Sequence, residues 1–91
     1  MLSERERRMA REAADEIERC GWWQKSACGP NGQVCVTEAL YRKMGPLATF
    51  TNYWNICEAI TGIRGGLVVW NDRSDQTMEK VVAKLREVGA K

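Results

Sequence analysis

The sequence predicts an α+β domain, in which a small antiparallel or mixed sheet packs with three to four helices. A hairpin is indicated over residues 23–36, where the turn formers at 29–32 separate two short runs that can extend. A central strand is indicated at residues 67–70, a β-branched and aromatic run without polar alternation. Apolar residues recur at helical spacing in most of the remaining chain. The hairpin and the 67–70 strand are therefore expected to form the sheet.

The register of the hairpin decides how two of its cysteines relate. A two-residue Asn31-Gly32 turn would set Cys28 opposite Cys35. A three-residue loop at 30–32 that ends in a bulge would shift the pairing by one residue and separate the two thiols. The sequence agrees with both registers, so pairing of these cysteines stays open at this point.

A charged helix is predicted at the N-terminus. Ser3 and Glu6 have the spacing of a capping box, and Gly21 offers a stop. Opposite charges recur at i,i+4 around the helix, as in Glu4/Arg8 and Arg8/Glu12. Residues 1–20 could pack on the domain, or they could project from it and dimerise. Either contact would use one narrow stripe of apolar and small residues, namely Met9, Ala13, Ile17 and Cys20.

Two helices are predicted in the middle of the chain. Residues 37–44 are rich in helix formers and are followed by Gly45-Pro46, which ends the first. Thr49 or Thr51 can cap the second, which runs to residue 60 or 61. The second helix has a strong apolar face at positions i, i+3, i+4 and i+7, made of Phe50, Tyr53, Trp54, Cys57 and residue 60 or 61.

A last helix is predicted from about residue 76 to residue 88. Apolar residues occupy one of its faces, and Ser74 or Thr77 is available as its cap. Gly89 is expected to lie past its end, as glycine commonly does.

Length and charge limit the classes of function. Ninety-one residues fit a single domain, 1–91, and a net charge of +2 without a concentrated basic block disfavours nucleic-acid binding. A helix-turn-helix over residues 37–61 is disfavoured as well, because residues 51–58 of its second helix contain no Arg or Lys. The apolar runs are too short to cross a bilayer, so we expect a cytoplasmic protein without membrane contact.

The residue types also argue against catalysis and against bound metal. The chain has no His, so the usual Ser/His and Cys/His nucleophile arrangements are excluded, and no phosphate-binding glycine loop occurs. The four cysteines lack the close pairs of zinc sites and are expected to be free thiols. We therefore expect no cofactor, and an enzyme is the less favoured class. The four cysteines are Cys20, Cys28, Cys35 and Cys57.

One sequence pattern resembles a known group of proteins. Trp70-Asn71-Asp72 is followed by Thr77, Val81 and Leu85 at four-residue steps, and Gly21-Trp22, 32–35 and Ala39-Leu40 precede it. Together these residues resemble an uncharacterised domain family of actinobacteria and their phages, with a Trp-Asn-Asp-x4-Thr motif. Members usually carry Arg before the Thr, where this chain has Gln76. The resemblance implies a small accessory or regulatory protein from such a source, and it implies no reaction.

Six side chains are candidates for contact with a partner. Asn71 and Asp72 follow the predicted strand, where such side chains ordinarily accept backbone hydrogen bonds in a structural corner, although partner contact is the alternative. Exposed aromatic residues are plausible hot spots in an interface. We therefore expect a non-enzymatic, phage-encoded accessory protein that binds a host or phage protein, or a second copy of itself. The alternatives are a small DNA-binding regulator and a thiol- or metal-dependent enzyme. The aromatic candidates are Trp22, Trp23, Tyr41 and Tyr53.

Overall fold

The computed structural model describes residues 1–90, which fold into five helices. Within this range β-pairing is limited to two isolated bridges and no sheet forms, so the α+β prediction is wrong. The longest helices, the first and the last, form the most extensive contact between any two helices, and the first also packs on the second and third. In chain order the helices are α1 (Glu4–Cys20), α2 (Val36–Arg42), α3 (Phe50–Thr61), α4 (Leu67–Asn71) and α5 (Met78–Ala90).

The run at residues 67–70, predicted to be a strand, forms most of α4. Leu67 and Asn71, one helical turn apart, are buried, whereas Val68 and Val69 are 56% and 72% exposed. A four-residue apolar run has no periodicity that separates a buried strand from a turn of helix. Its β-branched residues lower helix propensity only slightly, and the buried contacts of Leu67 and Asn71 outweigh that preference.

Residues 22–36 form an irregular segment in place of the predicted hairpin strands. Cys28 bridges Val34 in the antiparallel sense, which leaves a three-residue loop at 30–32 whose last residue has a φ of 83°. Val34 also bridges Trp22 in the parallel sense. The structure therefore adopts the three-residue alternative, in which Cys28 does not lie opposite Cys35, and both thiols are free. Two bridges that share Val34 do not extend into a ladder, so the hairpin contributes no sheet.

Helix α1 begins and ends where the sequence predicts. Ser3 Oγ accepts a hydrogen bond from the backbone N–H of Glu6 (3.2 Å), and the Glu6 carboxylate accepts one from the backbone N–H of Ser3 (2.8 Å). Gly21 ends the helix with a φ of 93°. Of the two open alternatives for this helix, the structure shows packing on the domain. The buried stripe consists of Met9, Ala10, Ala13, Ala14 and Ile17.

Helices α2 and α3 lie close to their predicted positions. Helix α2 starts one residue earlier than predicted, because Cys35 is its N-cap and the Cys35 thiol sulfur accepts a hydrogen bond from the backbone N–H of Glu38 (3.4 Å). Thr49, one of the two predicted caps, precedes α3, and its backbone N–H donates to the Asn52 side chain (2.8 Å). Gly62 ends α3 in the left-handed conformation, with a φ of 85°.

Helix α5 is confirmed, although its end differs from the prediction. Thr77 caps it, since Thr77 Oγ1 accepts a hydrogen bond from the backbone N–H of Lys80 (3.2 Å). Gly89 is buried inside the helix and does not lie past it. A Cβ atom at position 89 would stand 3.0 Å from the backbone oxygen of Arg7 and 2.4 Å from Arg11 Cγ. Gly89 therefore serves the close approach of α5 to α1.

No helix in residues 1–90 combines the length and the apolar composition that crossing a bilayer requires. The longest, α1, has 17 residues and carries charged side chains through its whole length.

Candidate interaction surface

Asn71 joins three parts of the chain through one buried side chain. Its Oδ1 accepts hydrogen bonds from Trp22 Nε1 (2.8 Å) and from the backbone N–H of Val36 (3.0 Å). Its Nδ2 donates to the backbone oxygen of Trp23 and to Asp72 Oδ1, both at 3.0 Å. The amide therefore makes four hydrogen bonds within the protein, which is its full capacity. Asn71 holds α4 against the start of α2 and against the residues that follow α1.

Asp72 extends this corner to the loop after the tryptophans. Its Oδ1 accepts a hydrogen bond from the backbone N–H of Lys25 (2.9 Å), and that bond, outweighing the effect of burial, lowers the pKa of the Asp72 carboxyl. Lys25 has a φ of 77°, which is unusual for a residue with a Cβ atom. Gln24 Nε2 donates to the backbone oxygens of Asn71 and Arg73. These bonds hold the loop in place although Lys25 is strained.

The two tryptophans are both half-buried. Trp22 packs against the hydrophobic core and donates its indole N–H to Asn71, as described above. Trp23 donates its indole N–H to Ser26 Oγ (3.1 Å). The Trp23 ring covers Gly29 so closely that a Cβ atom there would stand 2.5 Å from the ring. Both indoles thus stabilise the 22–36 segment, and each leaves part of its ring at the surface.

An aromatic cluster lies where α2 meets α3. The Tyr41 ring is 6.1 Å from the Phe50 ring and 5.1 Å from the Tyr53 ring, and Tyr53 is also 5.1 Å from Trp54. Tyr53 is buried at the centre, and its hydroxyl bonds to Thr37 Oγ1 (3.2 Å). The other three rings remain 42%, 60% and 40% exposed, and we call Tyr41, Phe50 and Trp54 the aromatic surface.

A pocket of about 200 Å³ borders Tyr41. Val68, which is largely exposed, forms another part of its wall. Lys25 and Asp72, which belong to the corner, complete the lining. Cys35 lies in the lining, where burial raises the pKa of its thiol, so the sulfur is a neutral, weakly polar group at neutral pH. The pocket can accept a small apolar side chain beside the Tyr41 ring.

The structure divides the six sequence candidates into two groups. Tyr41 and Tyr53 meet in the aromatic cluster, whereas Trp22, Trp23, Asn71 and Asp72 meet in the corner. Phe50 and Trp54 were not among the candidates, because their helical spacing placed them on the face of α3 expected to be buried. The sequence indicates their exposure in only one way: α3 carries more large apolar side chains on one face than a small domain can cover.

The thiols do not assemble a metal site. No three metal-ligating side chains converge within residues 1–90. Cys20 and Cys28 both lie near the Arg42 guanidinium, at 4.0 Å and 3.7 Å from its terminal nitrogens. Cys35 and Cys57 are buried elsewhere in the fold.

Comparison with known proteins gives a family but no activity. Residues 1–91 match the model of a family described as a family of unknown function (DUF6197), which confirms the prediction of a domain family without an established activity. No curated protein and no solved structure matches it.

Proposed function

The chain belongs to the DUF6197 family, and we propose that it is a non-enzymatic accessory protein that binds another protein through the aromatic surface. The observation that carries this proposal is the exposure of Tyr41, Phe50 and Trp54 in one cluster of edge-to-face and tilted ring contacts. Aromatic side chains contribute large contact areas at a low cost in conformational entropy, and they dominate the energetics of many interfaces.

The surroundings of the aromatic surface support this role. Tyr41 and Trp54 contact buried Tyr53. Phe50 contacts Tyr41, so the rings are held in place and little side-chain freedom is lost when a partner binds. The adjoining pocket beside Tyr41 offers a place for an anchoring side chain of the partner. A contiguous apolar patch of this kind on a small protein is typical of an interaction site.

The partner we propose is a host or phage protein in the cytoplasm of the cell. The resemblance of residues 70–85 to a domain of actinobacteria and their phages supports this assignment and favours a phage-encoded protein. Helix α1 is a less suitable interface for a homodimer than the sequence suggested, since its apolar stripe already packs on α5 and α2. A second copy of the chain, if it binds, would have to use the aromatic surface or the charged face of α1.

The test is capture of a partner from actinobacterial lysate by the tagged protein, compared with a variant that carries Tyr41→Ala and Trp54→Ala. We expect one stoichiometric partner for the parent chain and a loss of about 30-fold or more in affinity for the variant, as for hot-spot residues. Val69→Ala is the control, because Val69 is an exposed apolar residue outside the surface. Size-exclusion mass of the free protein distinguishes a foreign partner from a second copy.

Three results would contradict the proposal. Capture that is equal for the parent and the double variant would show that the aromatic surface does not bind. Salt-sensitive retention on DNA would support a nucleic-acid-binding regulator instead. Metal that copurifies with the chain would support a thiol or metal protein.

A further inference from the structure

A groove of about 340 Å³ runs between α1 and the connection from α2 to α3. From its charges and its lining we propose that this groove binds an acidic peptide segment that also carries an apolar side chain. The groove is separate from the aromatic surface. The lining residues on which the proposal rests are Arg5, Arg8, Glu12, Lys43, Pro46 and Leu47, and we call this site the basic groove.

The basic groove carries uncompensated positive charge. Its lining carries three cations and the single carboxylate of Glu12, so positive charge is in excess although Lys43 also lies near Glu16. The guanidinium of Arg8 makes no ion pair or hydrogen bond within residues 1–90, although Glu4 and Glu12 are each four residues away. Glu4 pairs with Arg7 and Arg11 instead. Arg8 is therefore available to a carboxylate from outside the chain.

The other two cations are held in position by the protein. Arg5 donates a hydrogen bond to the backbone oxygen of Leu47 (3.3 Å), and Lys43 lies 3.3 Å from the buried carboxylate of Glu16. Because Glu16 also binds Arg19 and Arg42, it compensates only part of the charge on Lys43. Fixed cations bind a carboxylate at a smaller entropic cost than mobile ones.

The lining of the basic groove favours a peptide over a nucleic acid or a free anion. Leu47 is 73% exposed, and with Pro46 it provides an apolar wall that a free phosphate or sulfate would leave unused. The lining contains no aromatic ring on which a base could stack. A segment in which Asp or Glu alternates with Leu or Val matches both the charge and the apolar wall.

The connection between the helices keeps the groove open in the free protein. The bond from Arg5 to Leu47 joins α1 to the connection, and the backbone N–H of Ala48 donates to the oxygen of Gly45 (3.0 Å) to close a turn. The groove therefore needs little rearrangement on binding.

The experiment titrates the full chain with a fluorescein-labelled peptide of alternating Glu and Leu, and follows anisotropy at low salt. The comparison peptide replaces every Glu with Gln, and inorganic phosphate and a single-stranded oligonucleotide are tested as competitors. We expect Arg8→Glu to weaken binding of the acidic peptide by about tenfold or more, and Arg8→Gln to weaken it less. Arg64→Glu is the matched control, because Arg64 is exposed, lies outside the groove and has no partner within residues 1–90.

Further variants separate this site from the aromatic surface and from general attraction. Leu47→Ser should weaken the acidic peptide even at high salt, whereas Tyr41→Ala with Trp54→Ala should leave its binding unchanged. The proposal is overturned if Arg8→Glu and Arg64→Glu have equal effects, or if the Gln peptide binds as tightly as the Glu peptide. It is also overturned if phosphate or the oligonucleotide binds more tightly than the peptide and with the same dependence on Arg8. Circular dichroism checks that each variant remains helical.

Discussion

At the scale of single residues, the hydrogen bonds of the Asn71 side chain take the place of several backbone–backbone contacts. The 22–36 segment has only two isolated bridges, so its position depends on side chains that bond its backbone and its indole groups. Asn71 supplies three of these bonds, and a fourth to Asp72, from a position that is 1% exposed. A buried residue with both donors and both acceptor sites in use is difficult to replace, because any substitution leaves several polar groups without partners.

We expect Asn71→Ala to lower the free energy of unfolding by about 3 kcal/mol, since it leaves the indole of Trp22 and the backbone N–H of Val36 without their acceptor. Urea denaturation followed by circular dichroism at pH 7 measures the loss. Asp72→Ala is the comparison, because the Asp72 carboxylate accepts one bond from the backbone N–H of Lys25, and its loss should cost only about 1 kcal/mol. If Asn71→Ala were no more destabilising than Asp72→Ala, the corner would not depend on the Asn71 amide.

Glu16 provides a second test at the residue scale, based on pH. Hydrogen bonds from Arg19 and Arg42, partly opposed by burial and aided by Lys43, lower the pKa of the Glu16 carboxyl from 4.5 to about 2. A carboxyl whose pKa is lower in the folded state stabilises the protein fully above its unfolded pKa and loses that contribution as the pH falls. The stabilisation by Glu16 should therefore disappear between about pH 4.5 and pH 2.

We expect Glu16→Gln to cost about 2 kcal/mol at pH 7, a figure that allows for solvent screening of the exposed Arg19. The cost should shrink as the pH falls through the range just given. Denaturation of the parent and the variant at several pH values measures this difference. Glu12→Gln is the control, because Glu12 is an exposed carboxylate on the same helix, and its effect should be small at every pH. A Glu16→Gln penalty that is independent of pH would contradict the assigned ion pairs.

At the scale of helices, the contact between α1 and α5 depends on Gly89. We expect Gly89→Ala to destabilise the protein by about 1–3 kcal/mol, although alanine is the better helix former, because its methyl group would stand 3.0 Å from the backbone oxygen of Arg7. Gly45→Ala makes the same chemical change where no atom lies within 4 Å, and it should not destabilise. Thermal unfolding of both variants measures the difference in stability. Equal melting temperatures would mean that α5 does not approach α1 so closely.

The helix boundaries also show what local sequence can and cannot determine. The start and the end of α1 were predictable, because the Ser3–Glu6 box and Gly21 act through neighbouring backbone groups. The helical state of residues 67–70 was not predictable, since it depends on which of four apolar side chains the rest of the chain buries. Gly89 was misassigned for a similar reason. A glycine near a helix end normally marks that end, and only the packing of α1 reveals its other use.

At the scale of the whole molecule, the small size of the domain explains why the candidate surface was only partly predicted. Ninety-one residues cannot enclose every large apolar side chain, so some members of a helix's apolar face stay outside. On α3, Tyr53 and Cys57 are buried, whereas Phe50 and Trp54 remain exposed. Helical spacing alone does not distinguish the buried pair from the exposed pair, because which side chains are covered depends on where α2 and α4 end. Tyr41 was among the aromatic candidates and stays a prediction, whereas its neighbours in the surface emerge only from the structure.

The reactivity of the four thiols measures how tightly the whole chain is packed. In the folded, unreduced protein at pH 8, we expect Cys20 and Cys28 to react rapidly with a thiol reagent, because both reach solvent. Cys35 and Cys57 should react much more slowly, since both are buried and burial raises the pKa of each thiol. Cys20→Ser should remove one rapid thiol and leave the slow pair unchanged.

A third rapid thiol would show that the start of α2 or the core around α3 opens readily. Fewer than four reactive thiols in denaturant would reveal a disulfide and contradict the four free thiols of the structure.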